Sequence, residues 1–219
     1  MNRQEWFGRK TWADQDRREF HARLARSRTS FHKSQYLRIQ ALILEEADPP
    51  EISGALELLD ELLRDYPDAS QVALAYHQKG RCLIKIGRFE DALEALRSAL
   101  DAEQRFRGMR TAAAYLDYTD LVLRMGREDL YETAVAILNQ NANAQDEPFP
   151  YLQYRSGALK AFLCERLGRI DDARSAATRA LAAAAKKESP FRYHRDLGLV
   201  TNLMPDIQQE LWRLAGQPA

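Results

Sequence analysis

The chain has 219 residues, and its 32 Lys and Arg are balanced by 32 Asp and Glu. Zero formal net charge argues against a protein that coats nucleic acid or binds membranes through a polybasic surface. A composition 45% hydrophobic and 29% charged is that of an ordinary folded chain with room for a sizeable core.

Two cysteines, Cys82 and Cys164, lie far apart, each inside an apolar helical pattern. They form no disulfide framework, so the expectation is a reducing cytoplasm with both thiols in the core. The first residues lack the continuous apolar stretch of a signal peptide, and no apolar run is long enough to cross a membrane.

Apolar residues recur at three- and four-residue spacing almost everywhere, and no segment alternates as a strand does. The spacing predicts a first helix from Thr11, with Asp14 favouring its positive end, to about residue 28. Helices follow near 32–47, 51–65, 70–86, 89–106, 110–125, 128–140, 150–167 and 170–187. Between them stand breakers such as Pro49-Pro50, Pro67, Gly87, Gly126 and Gly168. A last helix opens at Pro205, which has no N–H to leave unpaired, and stops before Gly216.

One spacing repeats. Tyr76, Gly80, Leu83, Gly87, Phe89, Ala92, Leu96, Ala99 and Leu100 form its clearest copy. Ala161, Gly168, Ala173, Ala177, Ala180 and Leu181 form another downstream, and Tyr36, Ile43, Ala55, Leu59, Leu62 and Pro67 a third upstream. A weaker one uses Tyr118, Val122, Tyr131, Ala134 and Leu138, with Gly126 arriving early for its turn. Small Gly80, Ala92 and Ala99 let two helices approach closely, while Leu83, Phe89 and Leu96 fill the space between them.

This pattern resembles the tetratricopeptide repeat, at a period of roughly 37 to 42 residues rather than the family's 34. Lys79 stands where the family usually has Leu. The resemblance covers about residues 34 to 188 and implies an all-α solenoid of about four helix pairs in a single domain. Segments 1–33 and 189–219 act as terminal caps. Ile207, Leu211 and Leu214 would face the stack, leaving Asp206, Gln209, Glu210 and Arg213 to solvent.

In that family the first helix of each pair lines a concave groove that binds protein or peptide partners. Carried over by position, the groove candidates are Gln40 and Leu44, then His77, Arg81 and Lys85. Asp120 follows with Thr119 and Leu123, and Arg155, Phe162 and Arg166 complete the set. His77, Arg81 and Lys85 are four apart and share one face, so with Arg155 and Arg166 they suggest a basic wall for an acidic partner. The Asn residues of the family's peptide-carboxylate clamp are lacking.

Catalytic patterns are lacking too: there is no phosphate-binding loop, GxSxG, HExxH or CxxC. The four histidines show no ligand spacing. Acidic pairs such as Glu90-Asp91 and Asp171-Asp172 fall where they complement helix N-termini. No enzyme, cofactor or metal is therefore expected.

The alternative reading is a nucleic-acid-associated regulator. Residues 1–40 hold ten Lys/Arg and four Asp/Glu, with Trp6, Phe7 and Trp12 interleaved, and Arg23, Arg26 and Arg28 among the bases. Residues 41–70, however, hold nine acids and one Arg, so Glu57, Glu61 and Asp65 are expected to pair with the basic run from the neighbouring layer. The expected function is a non-enzymatic interaction module, either an adaptor or a bacterial, immunity-like protein that sequesters one partner.

Overall fold

A computed structural model describes residues 6–106, 111, 113–141 and 149–216. Among them every regular element is helical, in two compact units, Met1–Ala114 and Tyr115–Ala219.

The first unit contains α1 (Asp14–Leu24), α2 (Ser30–Glu45), α3 (Ile52–Asp65), α4 (Ala69–Lys85) and α5 (Phe89–Arg105). Helix α1 starts three residues later than expected, and Thr11 is not its cap. Asp16 instead reaches back to the Ala13 N–H at 3.0 Å and accepts from the Thr11 hydroxyl at 2.9 Å. A carboxylate two residues into the helix can satisfy both the free backbone donor and the hydroxyl, which Thr11 alone cannot.

Helices α2 and α3 pack as one pair and α4 and α5 as the next, with α3 against α4. Phe20, Leu37, Leu44, Leu58, Leu59 and Leu62 are fully buried between the first layers. In the second pair an added Cβ on Gly80 would fall 2.7 Å from the Leu96 side chain, so the small residue sets the approach of the two helices. Phe89 opens α5 and stays exposed rather than filling the gap. Lys79, in the family's leucine position, reaches Asp60 on α3 at 2.6 Å. A solvated ion pair replaces an apolar contact there.

The basic N-terminus is drawn onto the acidic layer as its charge pattern implied. Arg17 pairs with Glu57 at 2.9 Å, and His21 meets Glu61 at 2.8 Å. Asp65 pairs instead with its neighbour Arg64. Trp12 is buried and donates to Glu57, while Trp6 packs among Phe7, Phe20 and Tyr36. These rings close the apolar end of the first pair rather than standing free for stacking.

The second unit contains α6 (Ala114–Arg124, which begins on the last residue of the first unit), a single 3-10 turn Glu128–Leu130, α7 (Tyr131–Asn141), α8 (Pro150–Arg166), α9 (Ile170–Ala184) and α10 (Pro205–Ala215). Helix α9 ends three residues before the expected limit. Its alanines Ala173, Ala176, Ala177 and Ala180 are buried against α8, where an added Cβ on Gly157 would sit 3.0 Å from the Ala180 methyl. Leu211 of α10 is fully buried against the same cluster.

One turn recurs in both units. Gly87, Gly126 and Gly168 take φ of 76°, 64° and 72°, a left-handed conformation that glycine adopts without a Cβ clash. The next residue's N–H then closes back on the helix: Arg88 on Leu83 at 3.0 Å, Arg127 on Val122 at 3.1 Å and Arg169 on Cys164 at 2.8 Å. Gly126 comes early in sequence because α6 has only 11 residues, and it makes the same turn as the others.

Candidate functional site

Helices α6, α8 and α10 line a half-open cavity of about 400 Å³ within the second unit. Its floor is apolar: Leu123 from α6, Tyr154, Ala158, Leu159 and Phe162 from α8, and Ile207 from α10. The residues Ala158, Leu159 and Phe162 fall on one face because three- and four-residue steps repeat the helical turn. The rim carries three cations, Arg124, Arg155 and Arg166, and three acids, Asp120, Glu165 and Glu210.

The rim charges are organised in pairs. Arg155 donates to Asp117 at 3.0 Å and lies over the Tyr151 ring at 5.8 Å. Burial works against the Arg155 charge, but Asp117 and then Asp120 outweigh it and raise its pKa. Burial pushes the Asp120 carboxyl above the ordinary range, opposed by Arg155 and Arg124 and assisted by Asp117. Arg213 holds Glu165 and Glu210 together, joining α8 to α10. Arg166 has no acid partner among the described residues.

Four of the residues expected to line a groove, Asp120, Arg155, Phe162 and Arg166, are thus brought together, along with Leu123. Ile207 and Glu210 belong to the same wall although the sequence pointed to a capping role, with Glu210 turned to solvent. Their one-turn spacing on an amphipathic helix was visible, but the face it presents depends on how α10 is rotated against α8. The wall is balanced in charge rather than basic.

In the first unit the candidates fall differently. Gln40 is 0% exposed and its amide is occupied by the Arg9 backbone, donating to the carbonyl at 2.6 Å and accepting from the N–H at 3.1 Å. Leu44 is likewise wholly buried. Arg81 and Lys85 both turn to Glu45, which is only 2% exposed. His77 is half-buried on the same helix. The basic face of α4 is therefore spent largely on an internal acid that lies at the end of α2 and attracted no attention in the sequence.

Among the described residues no group of His, Cys, Asp and Glu is placed to hold a metal ion, and no helix is long and apolar enough to cross a membrane.

Residues 51–114 match the family model described as Tetratricopeptide repeat. This part of the chain is similar to a tetratricopeptide repeat. The match spans α3, α4 and α5, including the Gly80–Leu96 contact and the Gly87 turn on which the repeat spacing was read. No curated protein matches the chain. Tetratricopeptide repeats serve in general as protein-interaction modules.

Proposed function

We propose that this chain is a non-catalytic binding module that takes a protein segment against the α6–α8–α10 wall of its second unit. The observation that carries the reading is the cavity of about 400 Å³, an apolar floor ringed by fixed charges. That volume suits one or two large apolar side chains, and an apolar floor with a polar rim is how binding pockets obtain both affinity and orientation. Arg166, with no acid partner among the described residues, is a rim cation that could meet a partner's carboxylate.

The rim supports an adaptor or a single-partner, immunity-like role better than nucleic-acid binding. A phosphate backbone laid across the wall would meet Asp120, Glu165 and Glu210. Cytoplasmic residence fits the two buried free thiols.

Affinity capture with the wild-type chain and with Phe162→Ala and Arg166→Glu tests the proposal. A partner retained by the wild type and lost by both variants supports it. Equal retention by all three places the binding surface elsewhere and sinks it.

A further inference from the structure

The 20 residues between α9 and α10 (185–204) form no helix, yet they are anchored. Phe191 stacks on Phe149 with ring centroids 5.2 Å apart, the Gly198 carbonyl accepts from the Tyr151 N–H at 2.8 Å, and Lys186 donates to Gln153 at 2.7 Å. The segment also closes on itself, Ser189 N–H donating to the Arg195 carbonyl at 2.7 Å. Connections of this length inside a compact unit are uncommon, and those that hold a defined shape tend to carry function.

This loop packs Val200 and Leu203 against the helical core and leaves other apolar groups exposed. Tyr193 is 85% exposed, Leu197 52% and Phe191 42%, and Tyr151 at the start of α8, whose N–H bonds to the loop, is 44% exposed. Single exposed rings are commonplace, but three large apolar side chains exposed on one hydrogen-bonded loop mark an interaction surface. The loop is also basic: between positions 186 and 196 stand Lys186, Lys187, Arg192 and Arg195 against Glu188 and Asp196. Arg195 reaches Glu188 at 3.7 Å, whereas Lys187 and Arg192 have no acid partner among the described residues, Arg192 lying over the Tyr193 ring.

Tyr151 connects this surface to the cavity. Its ring lies beneath Arg155, which lines the cavity wall, and its N–H is held by the loop. From Tyr151 to Phe162 along α8 is about 16 Å at the helical rise, a span that roughly five residues of extended chain would cover.

We propose that the α9–α10 loop is the second half of the binding site, receiving the acidic flank of an extended peptide whose apolar anchor occupies the cavity. The inference rests on the cavity being a protein-binding site and adds the partner's chemistry: an apolar anchor with Asp or Glu roughly five residues away along the extended chain. Tyr193 and Phe191 would cover the peptide's apolar atoms while Arg192 and Lys187 meet its carboxylates. A polyanion such as single-stranded DNA would find the same rings and bases on the loop, but the acid-bearing cavity rim opposes its continuation along α8.

Panning a phage-displayed library of random peptides on the full chain supplies the probe. The expected peptides carry Asp or Glu roughly five residues from a large apolar residue. Labelled copies should lose about tenfold in affinity on the double variant Arg192→Glu/Tyr193→Ala, on Phe162→Ala, and when their acids become amides. If Phe162→Ala weakens binding and the loop variant does not, the loop proposal falls and the cavity reading stands. If Phe162→Ala has no effect, both fall. Selection of no peptide, or of peptides without acids, overturns the proposal as well. So does salt-sensitive binding of oligo(dT) that the loop variant alone abolishes.

Discussion

The Arg81 guanidinium meets the buried Glu45 carboxylate with two hydrogen bonds, at 3.1 and 2.6 Å, and Lys85 adds a third contact at 3.1 Å. A carboxylate almost closed to water depends on those partners, because its desolvation is offset only by charge and hydrogen bonding. Arg81→Ala is expected to destabilise the first unit by about 2 kcal/mol, moderated by the solvent around the guanidinium. Urea unfolding would read the loss. Glu45→Gln, which keeps the shape and removes the charge, should cost less, and the two changes together less than their sum.

The contact between His21 and Glu61 makes the first unit sensitive to pH. The hydrogen bond to Glu61 raises the His21 pKa against the opposing effect of burial, helped by the Arg17 carbonyl and the charge of Glu57. A raised folded-state pKa stabilises fully below the ordinary value of about 6.5 and ceases to do so as pH rises through the folded value. Thermal unfolding should therefore show this contribution fading as pH increases from 6.5. In His21→Gln that slope should disappear. An unchanged slope would show that other groups set it.

Gly80 and Leu96 meet where α4 and α5 pack closely. A methyl at position 80 would lie 2.7 Å from Leu96 Cγ. Gly80→Ala should destabilise by about 1–3 kcal/mol, despite the better helix propensity of alanine. Adding Leu96→Ala should relieve the clash, so the double variant loses less than the two single losses combined. Strict additivity in denaturant titrations would refute the packing account.

Cys82 and Cys164 are both buried and unpaired. Burial, with Glu45 nearby, pushes the Cys82 thiol up to about 12, and burial raises Cys164 as well. Since thiolate is the reactive form, neither should react with Ellman's reagent in the native chain at neutral pH. Both should react on unfolding, with the rate following the population of opened molecules. Rapid modification of the native protein would contradict their placement.

Helix limits were legible because their causes are local. Pro205, Gly87 and Gly168 stop or start helices through backbone geometry within a few residues, and α8 begins at Pro150 as expected. The start of α1 was misread because Thr11 and Asp16 compete for the same backbone donor, a choice made by side-chain reach. At the candidate site, Asp120, Arg155, Phe162 and Arg166 were legible through repeat position alone. Ile207 and Glu210 were not, since α10 lies outside the repeats. The role of the 185–204 segment was hidden too, because a cap carries no repeat pattern.

The amino-acid sequence by itself determined helices as the regular elements, the pairing of α2 with α3, α4 with α5 and α8 with α9, and the glycine turns, all encoded by periodicity and steric rules over a few residues. Apart from the pairing of the basic N-terminal run with Glu57 and Glu61, tertiary structure decided which distant charges meet. Arg81 finds Glu45 across 36 residues, Arg155 finds Asp117 across 38 and Arg213 finds Glu165 across 48. Such pairs depend on the rotation of each helix about its axis, which is set when whole apolar faces pack together. A face spent on an internal acid and a face left open to a partner have the same composition in the sequence, and only packing separates them.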